Sequence, residues 1–183
     1  MKKLVSKLIL HVLGWKVVSD IPTLKKYVII VSPHTSNWDF IIGRCFGYML
    51  EIEAKYLGKS QLFHFPYGWI FRLLGGIPVD RSKHNNLVAY AIDLFKSSEK
   101  LVLGLAPEGS RSRVEKWKLG FYHIAVGANI PIALAYLDYE KKEAGISEMF
   151  QPSGEIQKDL QKIEDFYKGI SPKYSEKYNS KIF

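Results

Sequence analysis

The apolar positions of the chain fall into short β-branched runs that alternate with longer runs of helical spacing. The clearest strand is residues 26–32, KYVIIVS, a continuous apolar run of the buried type. A helix over residues 38–51 is expected next, with Ser36 or Asn37 as its N-terminal cap. Further strands are predicted at residues 53–58, 76–81, 100–105 and 130–139, and helical or partly helical segments at 61–76, 85–98 and 119–129. This alternation predicts a single α/β layered domain with a central, mainly parallel sheet flanked by helices.

The first 18 residues combine an apolar stripe with a basic face. At helical spacing, the stripe consists of Leu4, Val5, Leu8, Ile9, Val12 and Leu13. The opposite side carries Lys3, Lys7, His11 and Gly14. Such a helix can lie on an anionic membrane surface, or it can be a terminal helix packed on the domain. The pattern alone gives the two interpretations equal weight.

Charge is unevenly distributed along the chain. The formal net charge is +8, and residues 1–26 contribute +5 of it, with six lysines against Asp20. From Glu140 onward eight lysines balance eight acids, so this part is expected to be a solvated surface. A nucleic-acid partner is disfavoured, because the N-terminal lysines alternate with aliphatic residues and lack an aromatic platform or an Arg-rich groove.

Composition excludes two further classes of protein. The single Cys45 excludes an internal disulfide framework and is typical of a reducing compartment or of indifference to redox. The longest apolar runs fall far short of the roughly 20 residues that cross a bilayer, which predicts no transmembrane span.

Three loops that follow predicted strands carry more polar residues than a turn requires. They are residues 33–39 (PHTSNWD), 75–81 (GGIPVDR) and 107–113 (PEGSRSR). In the first, Asp39 lies one helical turn beyond His34 and can accept a hydrogen bond from one ring nitrogen, leaving the other as a base. No G-x-S-x-G motif supplies a nucleophile, and Cys45 lies in an apolar segment, so this base suits a substrate that brings its own hydroxyl. The alternatives are a capping Asp beside a surface His, or a metal site, for which no third ligand stands at a compelling spacing.

The third loop has an anion-binding composition. A glycine at position 109 lets backbone amides approach an anion, and Arg111 offers two parallel donors to phosphate oxygens. Glu108, Ser110 and Lys118 complete this group, although a solvated loop is the alternative. In the second loop, Asp80 and Arg81 form either a local ion pair or a substrate contact.

Together these segments resemble the glycerolipid acyltransferase family of the lysophosphatidate acyltransferase type. The family's four blocks are H-x4-D, a block that ends in Arg, E-G-T-R, and a late apolar block with proline. They correspond to residues 34–39, 75–81, 107–112 and 130–136, and WKLGFYHIA places Lys118 and Gly120 in register after the third block. This chain departs from the pattern at Pro33, where the family usually has Asn, and at Ser110, where it has Thr.

The resemblance implies an O-acyltransferase. His34 would deprotonate an acceptor hydroxyl and Asp39 would orient the imidazole. The implied substrate-binding residues are Arg81, Glu108, Gly109, Ser110, Arg111 and Lys118. The implied acceptor is a lysophospholipid such as 1-acylglycerol-3-phosphate, in phospholipid biosynthesis. The acyl donor is acyl-CoA or an acyl-carrier-protein thioester, and neither a metal nor another cofactor is expected.

The same resemblance guides the expected location. Family members commonly have longer hydrophobic N-terminal regions than this chain, so we expect peripheral attachment to the cytoplasmic face of a membrane. We accordingly assign residues 1–20 to a membrane-surface helix and residues 21–183 to the acyltransferase domain. The aromatic segment 63–74 would contact the acyl chain, or it is ordinary core.

Three other functions stay open. They are transfer to a non-phosphate lipid acceptor, hydrolysis of an acyl or phosphate ester by the same His and Asp acting on water, and non-catalytic lipid binding. Turnover without an acceptor lipid would indicate the hydrolase, and an absence of turnover would indicate the binding protein.

Overall fold

The computed structural model describes residues 1–19, 22–80 and 87–182. Its strands are β1 (Lys16–Val18), β2 (Lys26–Ser32), β3 (Ala54–Lys59), β4 (Gly76–Val79), β5 (Leu101–Leu105), β6 (Ile132–Asp138) and β7 (Glu143–Phe150). Its α-helices are α1 (Lys2–Val12), α2 (Asn37–Met49), α3 (Gly68–Leu73), α4 (Leu87–Ser97), α5 (Gly120–Ala128) and α6 (Ile156–Tyr167). Short 3-10 helices occur at Ser60–Phe63 and Ser175–Lys177.

The strands form one seven-stranded sheet in the order β1-β7-β6-β2-β5-β3-β4. Every neighbouring pair is parallel except β6 and β7, which are antiparallel. The prediction of an α/β domain with a mainly parallel sheet is confirmed. The apolar run of β2 is explained by its position at the centre of the sheet, where both faces are covered.

Helices cover both faces of the sheet, each over its own core cluster. One cluster joins the sheet to α4, α5 and α6, with Phe95, Phe121 and Tyr167 among its fully buried members. The other joins the opposite face to α1 and α2 through Leu10, Ile42 and the buried thiol of Cys45. Burial of these apolar surfaces supplies the main stabilisation of the layered fold.

The region after Glu140 corrects the sequence prediction. It was expected to be a solvated surface, but it contains β7 and α6 and contributes to the core. Leu160, Ile163 and Tyr167 lie on one face of α6 and are buried, while its charged residues point mostly outward. The prediction for this region rested on its balanced charge and did not take account of the amphipathic spacing of α6. The strand β1 was also missed, because the helical pattern was extended to Trp15 and Lys16 whereas α1 ends at Val12.

Most of the apolar stripe of α1 faces away from the domain. Leu4, Leu8 and Val12 are 73%, 63% and 74% exposed, while Ser6 and Leu10 are the buried residues of the helix, which packs against α2. The helix therefore packs on the domain through Ser6 and Leu10, with Ile9 and Leu13 partly buried, as the second interpretation predicted, and it leaves the rest of its apolar stripe exposed. Within the described ranges no helix has the length and apolar character needed to cross a membrane.

Candidate active site

Three neighbouring parallel strands end at the site. Strand β2 lies between β5 and β6, with Ile30 beside Leu105 and Ser32 beside Tyr136. The chain that leaves β2 carries His34, the chain that leaves β5 carries Glu108, and the chain that leaves β6 carries Tyr139. Because parallel strands end at the same edge, their exit loops lie side by side, which is where α/β folds commonly build sites.

His34 and Asp39 are in contact. The Nδ1 atom of His34 lies 3.2 Å from Oδ2 of Asp39. A carboxylate only accepts hydrogen bonds, so this contact requires the proton on Nδ1 and leaves the lone pair on Nε2. The side chain of His34 is 24% exposed and that of Asp39 is 2% exposed, so the imidazole is the member of the pair that a substrate can reach.

The first turn of α2 holds Asp39 in place. Its Oδ2 accepts hydrogen bonds from the backbone amides of Thr35 (2.7 Å) and Ser36 (2.8 Å), and Ser36 closes the capping box as the N-terminal cap. Asp39 therefore both caps the helix and binds His34. Burial by itself raises the pKa of Asp39, but the hydrogen bonds from His34, Tyr139, Ser36 and Thr35 outweigh it and leave the pKa below its ordinary value.

Tyr139 is a member of the site that sequence reasoning missed. Its hydroxyl donates a 2.5 Å hydrogen bond to Oδ1 of Asp39, across 100 residues of sequence. Burial and the Asp39 carboxylate raise the pKa of Tyr139 far above its ordinary value, so it acts as a neutral donor. The available signal was its position directly after the strand that ends at Asp138.

Glu108 lies beneath the His34 loop and not at a surface that an acceptor can reach. It is 4% exposed, and its Oε1 accepts hydrogen bonds from the Ser32 hydroxyl (2.7 Å) and the His34 backbone amide (3.1 Å). Burial raises the pKa of Glu108 above its ordinary value, with Ser32 and the backbone amides opposing the rise. The first and third predicted loops therefore meet through this carboxylate, which positions His34.

The rest of the third loop is exposed. Gly109 has φ +67°, a left-handed conformation that favours glycine, and a Cβ there would lie 2.9 Å from Nζ of Lys118. Ser110 bonds within the turn to Ser112. The exposed guanidinium of Arg111 has no hydrogen-bond or ion-pair partner among the residues that the structure describes. The structure thus places Lys118 beside Gly109. Arg81, which the sequence also predicts as a substrate-binding residue, lies outside the described residues.

The C-terminal segment, residues 171–182, contacts both the first loop (residues 33–39) and the third loop (residues 107–113). The amide of Tyr174 donates to Oγ1 of Thr35 (3.3 Å), and Arg113 donates to the carbonyl of Tyr178 (2.7 Å). Burial raises the pKa of Tyr178 to about 12. The charge of Glu108 raises it as well, whereas a hydrogen bond with Ser32 lowers it. Nothing in the sequence pattern predicted this segment at the site.

The aromatic segment divides between core and surface. Phe63 is buried, whereas Phe65, Tyr67 and Trp69 are 97%, 66% and 64% exposed. The interpretation of this segment as ordinary core is therefore wrong for these three side chains. Within the described ranges, no three His, Cys, Asp or Glu side chains are grouped so that they could hold a metal ion.

Comparisons with known proteins give one family and one fold. The sequence model of a family described as Acyltransferase matches residues 16–136, more than half of the chain. No curated protein matches this chain significantly. The structure is similar to that of the 1-acyl-sn-glycerophosphate (LPA) acyltransferase, PlsC, from Thermotoga maritima. The TM-score is 0.64 at 18% sequence identity, over 93% of this chain and 80% of that one, which shows a shared fold.

Proposed function

The chain belongs to the acyltransferase family, and we propose that it moves a fatty acyl group from a thioester to the hydroxyl of a lysophospholipid. The acyl donor is acyl-CoA or acyl carrier protein, and the acceptor is of the 1-acylglycerol-3-phosphate type, as in phospholipid biosynthesis. The observation that carries the proposal is the contact between His34 and Asp39, which leaves Nε2 of an accessible imidazole as a base.

The reaction begins with proton transfer to His34. Its Nε2 removes the proton of the acceptor hydroxyl while that oxygen attacks the thioester carbonyl, forming the new C–O bond and a tetrahedral intermediate. The imidazolium is stabilised by Asp39, whose own charge is kept by its four hydrogen-bond donors. General-base assistance of this kind contributes roughly 10²- to 10⁴-fold to the rate.

Collapse of the intermediate completes the transfer. The C–S bond breaks, the ester stays on the acceptor, and the departing sulfur takes the proton that His34 carries. Both histidine and aspartate then return to their starting states, so no covalent acyl-enzyme is needed. This agrees with the position of Cys45, which is buried inside α2 and not available as a nucleophile.

An anionic acceptor would be held by the third loop. Two cations favour a phosphate there: the exposed guanidinium of Arg111, which has no partner among the described residues, and the ammonium of Lys118 beside Gly109. Arg81 and the loop residues Gly109 and Ser110 complete the proposed substrate-binding set. Glu108 acts from beneath, through the backbone of His34.

The proposed location is the cytoplasmic face of a membrane. Leu4, Val5, Leu8 and Val12 form an exposed apolar row that can enter the headgroup region, and Lys2 and Lys7 on the same short helix favour anionic lipid. The exposed rings of Phe65 and Trp69 offer apolar contacts to an acyl chain.

A substrate panel tests the proposal. Purified protein is incubated with labelled acyl-CoA or acyl carrier protein thioesters and with lysolipids of different headgroups, and the product mass identifies the acceptor. We expect transfer in the wild type and its loss in His34→Ala, with unchanged circular dichroism. His123→Ala, which removes an exposed histidine on α5, is the matched control. Transfer by His34→Ala, or acyl release that does not depend on an acceptor, would contradict the proposal.

A further inference from the structure

The ammonium of Lys173 lies among three aromatic rings next to the catalytic pair. Its Nζ is 5.1 Å from the ring centre of Trp38, 5.7 Å from that of Tyr174 and 5.9 Å from that of Tyr139. Cations within about 6 Å of a ring centre are attracted by the negative face of the ring. Trp38 directly precedes Asp39, and the hydroxyl of Tyr139 binds Asp39. Contacts through Tyr139 and Asp39 therefore link this ammonium to the imidazole of His34.

Two backbone contacts fix the chain on either side of Lys173. The amide of Tyr139 donates to the carbonyl of Ser171 (2.9 Å), and the amide of Tyr174 donates to the hydroxyl oxygen of Thr35 (3.3 Å). Tyr139 and Thr35 both belong to the exit loops that build the candidate site. The backbone on both sides of Lys173 is therefore held by the candidate site.

The next feature is the charge of Lys173. Among the side chains that the structure describes, no carboxylate forms an ion pair with it. Asp39, which Tyr139 links to this cluster, already accepts hydrogen bonds from Thr35, Ser36 and Tyr139 and contacts His34. Aromatic faces hold a cation without neutralising it, so the positive charge stays available to an incoming anion.

We infer that Lys173 binds a phosphate group of a substrate, as a further binding residue of this active site. The inference rests on the proposed acyl transfer, and it adds a cation from the C-terminal segment to those of the third loop. In a 1-acylglycerol 3-phosphate only one carbon and one oxygen separate the carbon of the reacting hydroxyl from phosphorus. When that hydroxyl lies at Nε2 of His34, the phosphate lies at the same edge of the sheet as Lys173, which is joined to His34 through Tyr139 and Asp39.

The same chemistry could come from the donor, since coenzyme A and the arm of acyl carrier protein also carry phosphates. The ligand class is therefore a phosphate ester, and the experiment distinguishes its two sources. A purely structural lysine that fills the aromatic cage would instead affect all substrates equally.

The test compares Lys173→Met, which removes the charge, with Lys173→Arg, which keeps it. Lys177→Met is the matched control, because Lys177 lies on the same segment, 4.4 Å from the ring centre of Tyr174, and within the described ranges stacks on neither Trp38 nor Tyr139. Acceptors with a phosphate (1-acylglycerol 3-phosphate) and without one (monoacylglycerol) are paired with acyl-CoA and with phosphate-free acyl-pantetheine, in the same micelles. Lys173→Gln replaces the Met variant if the latter does not fold.

The expected result for Lys173→Met is a KM about tenfold higher for the phosphate-bearing substrate with kcat unchanged, from loss of one charged contact. A rise confined to 1-acylglycerol 3-phosphate assigns the acceptor phosphate, and one confined to acyl-CoA assigns the donor. Lys173→Arg should restore most of the loss, and Lys177→Met should resemble the wild type. Unchanged KM values, or equal changes with the phosphate-free substrates, would overturn the inference.

Direct binding separates this inference from the proposed function. Calorimetric titration with glycerol 3-phosphate and with coenzyme A needs no turnover. If the wild type transfers no acyl group, the proposed function fails, and weaker binding of either ligand to Lys173→Met would still support a phosphate site. Equal binding by both proteins would refute it.

Discussion

The hydroxyl of Tyr139 lies 2.5 Å from Oδ1 of Asp39 and ties the exit of β6 to the first turn of α2. His34 contacts the other carboxylate oxygen, Oδ2. His34, Asp39 and Tyr139 therefore form one chain of contacts that joins the loops after two neighbouring strands, and we propose the first two as the base and its orienting acid. In the proposed reaction Tyr139 is a positioning residue, because it would act on the imidazole through Asp39.

Removing the hydroxyl of Tyr139 should loosen the catalytic pair. In Tyr139→Phe we expect kcat to fall about five- to tenfold with KM nearly unchanged, and stability to fall by about 1.5 kcal/mol, as for loss of a hydrogen bond to a charged group. Steady-state kinetics and urea unfolding measure the two effects. Tyr56→Phe is the control, since within the described ranges the one hydrogen bond of its hydroxyl is a 3.4 Å contact with the carbonyl of Phe71 on α3. An unchanged kcat would show that Tyr139 does not position Asp39.

Neutralising Asp39 should affect both activity and acid stability. Asp39→Asn removes the carboxylate that stabilises the imidazolium, so kcat should fall about 100-fold or more. The pKa of Asp39 is lowered in the folded protein, so its stabilising effect is complete above the ordinary carboxylate range and is lost as pH falls through the lowered pKa.

The difference in unfolding free energy between wild type and Asp39→Asn should therefore be largest near neutral pH and shrink below about pH 4. Urea unfolding from pH 7 down to pH 3 measures it. A difference that grows on acidification would contradict the assignment of a charged, hydrogen-bonded Asp39.

Glu108 predicts the opposite pH dependence. Its folded-state pKa is raised, so the folded protein holds this proton to higher pH than the unfolded chain does. The stabilising effect of the protonated form is present below the ordinary glutamate pKa and is lost as pH rises towards the raised value. Glu108→Gln cannot ionise and should therefore gain in stability relative to wild type as pH rises above about 4.5.

Unfolding at a series of pH values tests this, with Glu53→Gln as the control for removing an exposed carboxylate. The amide that replaces the Glu108 carboxyl keeps an acceptor for Ser32 and for the His34 amide, so the loop geometry is retained. A relative stability that is flat with pH, or that falls, would show that Glu108 ionises freely in the folded protein.

The exposed stripe of α1 should set membrane affinity. Leu4→Ser and Leu8→Ser each remove apolar area that would enter the headgroup region, at a cost of about 1 kcal/mol or more, so vesicle binding should weaken several-fold per substitution. Sedimentation with vesicles containing anionic lipid measures this, and added salt should weaken binding further by screening Lys2 and Lys7.

Val126→Ser is the control for removing an exposed apolar side chain at a different surface. Val126 is 45% exposed on α5, across the sheet from α1. Folding should be unaffected in all three variants, since none of these side chains is buried. Equal vesicle binding by the α1 variants and wild type would refute membrane attachment through this stripe.

Local pattern was sufficient for most of the elements. The β-branched run of β2, the cap at Ser36 and the period of α4 and α5 are each determined by neighbours a few residues apart, and the structure confirms them. The contact between His34 and Asp39 belongs to this class, because one helical turn separates them and the capping box closes it. The exceptions are β1, whose residues continue the helical pattern of α1, and β7 and α6, where balanced charge obscured the local pattern.

Only the tertiary structure decided what surrounds that pair. Glu108 reaches the His34 amide from 74 residues away and Tyr139 reaches Asp39 from 100, because the strand order places β5 and β6 on either side of β2. The C-terminal segment meets the same edge through the contact of Tyr174 with Thr35, which are 139 residues apart in the sequence. Exposure was also a tertiary result: the stripe of α1 and the ring of Phe65 have apolar sequences that would suit a core equally well. Short-range periodicity can be read directly from the sequence, whereas strand order and surface exposure depend on how distant elements pack.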